Sequence, residues 1–220
     1  MRINMSMQEK LQLRIIDRLI ELHKLNMGKV NFDIHDRKHA IYYLQGGAIT
    51  CAINARKLNN EIGILGREWR FISEISYVVE YFDELDDQSR EISAWFTKEA
   101  IIDRKPSKKV VDSSIRQQRT GLPEDHFKLF DDSHKGLLHE LSKFAHPSLP
   151  SVSANSTTLT HKFDYYQTYD EDPKQREALK GIFVSEAINC FIAPSKSLPL
   201  SKEEFSELLN YKTSLNTKLF

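Results

Sequence analysis

The sequence predicts an all-α fold, a single-domain bundle of about six or seven helices. Three observations carry that prediction. Apolar residues recur at the helical period along most of the chain. Helix start and stop signals punctuate those periodic stretches. Eight Gly and seven Pro in 220 residues are too few for the many tight turns of a sandwich or barrel.

The elements follow in order. Met7 to Asn26 carries Leu11, Ile15, Leu19 and Leu22 on one stripe, and Gly28 marks its end. A second helix is expected from Asp33 to Asn60. Ala48, Ala52 and Ala55 would let another helix approach closely, and the Gly46-Gly47 pair is either part of that approach or a kink. Gly63 and Gly66 are expected to punctuate the next turn. A third helical stretch runs from Arg67 to Ile102, broken near Asp86-Asp87. Trp69, Ile72, Val79 and Phe82 form its first apolar face, and Ile92, Trp95 and Phe96 its second.

Residues 103–109 read as a polar connector containing Pro106, with a short helix over 110–118. Thr120 to Asp125 reads as a helix start, with Pro123 near the first helical position and acids in the first turn. That helix would run to His146 and stop at Pro147. Residues 147–160 are rich in Ser, Thr and Pro and form the longest expected loop, a candidate lid or disordered segment. Pro173 to Ala193 returns to the helical period. Ser201-Lys-Glu-Glu204 is a capping box opening the last helix.

Composition narrows the function classes. Lys plus Arg and Asp plus Glu are both 31, so the surface as a whole is not built to hold nucleic acid or anionic lipid, although a local patch could. No stretch approaches the ~18 apolar residues of a membrane span. The N-terminus lacks an apolar segment before a small-residue cleavage site. A cytoplasmic protein with no membrane association is the expectation. Cys51 and Cys190 both sit in apolar surroundings and read as buried thiols in a reduced compartment, with a disulfide or reactive thiol as the alternative.

Several constellations could carry chemistry. At the helical period Arg70, Glu74, Tyr77 and Tyr81 share a face opposite Trp69, Ile72 and Val79. That face is either a structural ion pair under packed tyrosines or the polar wall of a pocket or dimer interface. His139, Ser142 and His146 form a second polar stripe, able to hold a phosphate or move a proton near neutral pH, or simply solvated. His134 falls on the apolar side of that helix. His35 and His39, beside Asp33 and Asp36, have the spacing of two metal ligands but no third partner, and read better as helix-start residues. Arg104-Lys105, Lys108-Lys109 and Arg116-Arg119 make a basic strip, either a local RNA or phosphate site or a solvated connector. There is no Gly-rich phosphate loop and no nucleophile elbow, and no cofactor or metal is expected.

Two short motifs resemble a family. Arg70-Phe-Ile-Ser-Glu74 places Arg and Glu one turn apart, and Ser142-Lys-Phe-Ala-His146-Pro147 ends a later helix. Together they are similar to a group of bacterial helical proteins related to the HEPN superfamily (higher eukaryote and prokaryote nucleotide-binding domains). The resemblance implies a homodimeric helical bundle that binds nucleotide or RNA, with a possible metal-independent ribonuclease activity in defence or toxin–antitoxin systems, and an antitoxin or other protein as partner. It places Arg70, Glu74, His139, Ser142 and His146 at a ligand-binding cleft. Catalytic members of the superfamily carry an Arg, four to six residues, then a His. This chain offers Arg18…His23 and Arg119…His126. Arg119 and His126, with His146, are the implied catalytic residues, although Gly121 and Pro123 interrupt the helical register between the first two. The alternative is a non-catalytic interaction module in which Arg70, Glu74 and His146 form a buried structural network.

Overall fold

A computed structural model of the chain describes residues 5–57, 62–85, 89–98 and 173–215. These hold six helices and no strand: α1 (Met7–Met27), α2 (Arg37–Lys57), α3 (Ile62–Glu84), α4 (Arg90–Lys98), α5 (Pro173–Ile192) and α6 (Lys202–Ser214). The fold is an all-α bundle. The expected connector, the two helices after it and the 147–160 loop lie outside the described residues.

Two helix starts are local chemistry alone. The Ser6 hydroxyl accepts the Glu9 amide at 3.0 Å while the Glu9 carboxylate accepts the Ser6 amide at 2.7 Å. Ser201 and Glu204 repeat this reciprocal cap at the start of α6. Gly28 ends α1 with ordinary right-handed backbone, φ −71°, so its role there is punctuation and not conformational necessity.

Other boundaries differ from expectation. α2 begins at Arg37, not Asp33, because Asp33 holds a turn while Asp36 is the residue that caps the helix. Asp33 Oδ1 accepts the His35 amide and Asp36 Oδ1 the Lys38 amide, each at 2.8 Å. Gly63 and Gly66 do not form a turn: α3 starts at Ile62 and runs through both. The predicted break near Asp86-Asp87 falls between α3 and α4.

α2 lies at the centre and packs against α1, α3, α4 and α5, while α6 packs on α5. Its small residues make this possible: Ala40, Ala48, Ala52 and Ala55 are essentially inaccessible. Gly46 and Gly47 serve close approach and not a kink, since α2 is continuous across them. A Cβ on Gly46 would meet the His23 ring at 3.3 Å, and one on Gly47 would meet Ile75 Cδ1 at 3.6 Å. Around α2, the α1 stripe Ile15, Leu19 and Leu22 meets Trp69, Ile72 and Phe82 of α3 and Phe183, Ile188 and Phe191 of α5 in one core. Each such side chain contributes about 1.5–3 kcal/mol by leaving water. α5 is buried on nearly every side from Ala178 to Phe191, as a central helix must be.

Polar groups inside this core are paired across helices. Gln12, on the apolar side of α1, donates through Nε2 to the Glu177 carbonyl at 3.0 Å and accepts from Arg56. Asp83, fully buried at the end of α3, accepts the amides of Lys196 at 3.1 Å and Ser197 at 2.8 Å. Arg37 opens α2 and donates to the Leu85 carbonyl at 2.7 Å and the Asp83 carbonyl at 3.4 Å, serving groups that α3 leaves unsatisfied at its end. The start of α2, the end of α3 and the α5–α6 linker are thereby fastened at one point.

Candidate functional site

Arg70 and Glu74 are one turn apart on α3, and Arg70 Nε donates to Glu74 Oε1 at 3.0 Å. Their side chains are 41% and 43% exposed. The pair therefore lies at the surface of the bundle, and its contribution to stability is a few tenths of a kcal/mol. The tyrosines expected beside it are covered to different degrees. Tyr77 is half-buried and Tyr81 is buried. The Tyr81 hydroxyl donates to Glu91 and ties α3 to α4. Burial, reinforced by that bond, pushes the phenol up to about 12.

Behind the pair runs a polar seam between α3 and α5. Ser73 donates to the Arg70 carbonyl and Ser76 to the Ser73 carbonyl, each at 3.0 Å. Ser76 also reaches Glu186 Oε2 at 3.4 Å, which accepts from Asn189 Nδ2 at 3.2 Å. Lys212 of α6 donates to Asn189 Oδ1 at 2.7 Å. Glu186 is only 3% exposed, and nothing in its local sequence marked it as buried. The Glu186 end of the seam adjoins the Cys190 thiol. Burial pushes Cys51 up to about 11, with Glu68 adding to the effect. Burial pushes Cys190 well above the thiol range, with Glu186 and Glu80 adding. Both cysteines are free and buried, so neither is a ready nucleophile.

Of the implied site residues, Arg70 and Glu74 are brought together. Arg119, His126, His139, Ser142 and His146, with His134 and the basic strip, lie outside the described residues. The other Arg…His match, Arg18…His23, divides between two neighbours. Arg18 Nε donates to Glu207 of α6 at 2.9 Å and its Nη1 to Glu21 at 3.1 Å, at the edge of an open groove of about 550 Å³ between α1 and α6. His23 instead stacks on Tyr42 of α2 with ring centres 4.0 Å apart and planes within 8°. Its Nε2 donates to the Tyr42 carbonyl at 3.0 Å. Burial lowers the His23 pKa, and the carbonyl partly opposes this. These two residues share no cleft.

His35 and His39 do not converge as a ligand pair. His39 Nδ1 donates to the Asp33 carbonyl at 2.7 Å, leaving Nε2 buried without a hydrogen-bond partner, while His35 is exposed. No group of three or more His, Cys, Asp or Glu suited to a metal occurs among the described residues. His39 is instead the hub of an aromatic assembly that sequence reading missed. It stacks on Phe96 of α4 at 4.6 Å, and Phe32 and Tyr43 meet it edgewise at 5.2 and 5.0 Å. The available signal was the aromatic density of the 32–43 segment, but Phe96 joins only through the packing of α4 on α2.

No helix among the described residues is long and apolar enough to cross a membrane. Comparison with known proteins finds no matching family, no similar curated protein and no similar solved structure.

Proposed function

We propose that this chain is a HEPN-like nucleotide- or RNA-binding helical protein that acts as a homodimer. The observation that carries this reading is the position of Arg70. Its guanidinium is held by Glu74 at the accessible surface of α3. A half-exposed ion pair contributes little to folding, while an oriented guanidinium suits a phosphate. The competing reading requires Arg70 and Glu74 to belong to a buried structural network, and their exposure argues against it. The all-α bundle is compatible with the superfamily, although fold likeness alone transfers no activity.

In this reading Ser142, His139 and His146 complete the cleft. The ribonuclease activity falls to Arg119, which would stabilise charge on the phosphorane, and to His126 or His146, which would act as base toward the 2′-hydroxyl. An antitoxin or other protein partner would cover the cleft. The test is cleavage of RNA in chelator by purified protein, beside Arg70→Ala, Arg119→Ala, His126→Ala and His146→Ala, with mass by light scattering. Loss of cleavage or RNA binding in a folded Arg70→Ala or His146→Ala variant supports the reading. A folded protein that neither binds nor cleaves RNA overturns it.

A further inference from the structure

The α1–α2 linker and the second turn of α2 carry the two most exposed large aromatic rings among the described residues. Phe32 is 59% exposed and Tyr43 is 56% exposed. Neither is a floppy surface ring. Phe32 meets His39 at 78° and Tyr42 at 90°, and Tyr43 meets Phe96 at 88° and Tyr42 at 82°. Edge contacts of this kind hold a ring in place. Because both rings touch the same His39 imidazole at 5.2 and 5.0 Å, their centres lie within about 10 Å of each other. The imidazole beneath is fixed by Asp33 and by Phe96, so the two rings form a preorganised shelf.

The segment that carries the shelf has an excess of basic residues. Residues 23–43 hold Lys24, Lys29, Arg37 and Lys38 against only Asp33 and Asp36. Asp33 and Asp36 each accept one backbone amide, Arg37 is turned toward the Asp83 and Leu85 carbonyls, and Lys24 and Lys29 are exposed. In a chain whose net charge is zero, this is a local anion-attracting rim beside exposed π surface. A second copy laid on the shelf would oppose like-charged rims.

We infer that the Phe32–Tyr43 shelf binds single-stranded RNA, with bases stacked on the two rings and phosphates met by Lys24, Lys29 and Lys38. Stacking suits any base, since every base has a π face, and the lysines follow the backbone. This rests on the nucleic-acid reading above but assigns the binding to side chains outside the Arg70 cleft, so the two can fail separately.

The test is fluorescence anisotropy of a labelled, mixed-sequence single-stranded RNA titrated with the full chain. Variants are Phe32→Leu, Tyr43→Leu and Tyr43→Phe, each checked by circular dichroism. Leucine keeps apolar area but removes the π face. Each leucine variant is expected to weaken binding by roughly fivefold or more, with Tyr43→Phe close to the parent. Photocrosslinking of 4-thiouridine RNA to the unaltered protein should place adducts within residues 25–43. Equal binding by parent and leucine variants, or crosslinks confined elsewhere, overturns the shelf and leaves the nucleic-acid reading standing. No RNA binding by the parent overturns both. Unchanged RNA affinity with loss of self-association in the leucine variants overturns the shelf in favour of a second copy as its occupant.

Discussion

Gln45 supplies to the Cys190 carbonyl the hydrogen bond that the chain itself withholds. In a continuing helix that carbonyl would accept from the amide of residue 194, and residue 194 is Pro. Gln45 Nε2 donates to it at 3.1 Å from the middle of α2. The same amide group, through Oε1, accepts from Asn26 Nδ2 of α1 at 3.1 Å. One fully buried glutamine thus fixes the register of three helices.

Gln45→Leu should therefore cost about 2–3 kcal/mol, since it strands a buried carbonyl and a buried amide together. Gln45→Glu should cost more at neutral pH, because a carboxylate would face the Cys190 carbonyl with no proton to give. Urea denaturation of the three proteins measures both. Equal stability of Gln45→Leu and the parent would contradict the bridging role.

The adjacent glycines should respond differently to the same change. Gly47→Ala gains helix propensity and places its Cβ at an ordinary 3.6 Å from Ile75 Cδ1, so a stabilisation of up to about 1 kcal/mol is expected. Gly46→Ala meets the His23 ring at 3.3 Å, and that ring is held by its stack and its bond to Tyr42. Its gain should be smaller or absent, and Gly46→Leu should lose about 1–3 kcal/mol by overpacking. Thermal melts of the three variants decide the order.

His23 sets a pH dependence on the acid side. Its pKa is lowered in the fold, first by burial, so the unfolded chain takes up the proton more readily. Its contribution is complete above the unfolded value of about 6.5 and shrinks as pH falls through and below it. His23→Gln should flatten the stability profile in that window, read by denaturation midpoints across pH 4.5–7.5. An unchanged slope would exclude His23 as its source.

On the alkaline side Tyr81 and Cys51 act together. Both are raised, Tyr81 to about 12 and Cys51 to about 11, and both are neutral when protonated. Their contribution is complete below the unfolded values and lost as pH climbs through the folded ones. Native protein at pH 8 should leave both cysteines unmodified by a maleimide, while denatured protein reacts at two sites. Tyr81→Phe should release α4 from α3 and flatten the alkaline fall in stability, because the variant has no phenol to ionise; Trp95 fluorescence follows both.

Glu74→Ala and Arg70→Ala should each move stability by less than about 0.5 kcal/mol, as expected of an exposed pair at this spacing. Any loss of RNA binding or cleavage in Arg70→Ala would then report function rather than folding. A large loss of stability instead would restore the structural reading of the pair.

What was legible in the sequence follows the range of the interactions involved. The Ser201–Glu204 cap, the α1 stripe and the break before α4 are each written within a few neighbouring residues. The α2 start was misread because Asp33 and Asp36 can begin a helix or hold a turn, and the choice depends on where the α1–α2 linker must travel. Gly63 and Gly66 were misread because glycine weakens a helix without forbidding it, and packing can override the cost. The Arg70–Glu74 pair was legible as a pair, yet its exposure was not.

By itself the sequence determined that the described residues form helices, where α1, α5 and α6 begin, and which stripes of α1 and α3 avoid water. Tertiary structure alone decided which stripes meet. Gln45 reaches Cys190 across 145 residues, His39 gathers Phe32, Tyr43 and Phe96, and Glu186 is drawn inside beside Ser76. The physical reason is that periodicity reports only how much apolar surface a helix must hide. The partner that hides it is chosen by the summed packing and polar pairing of all the helices at once.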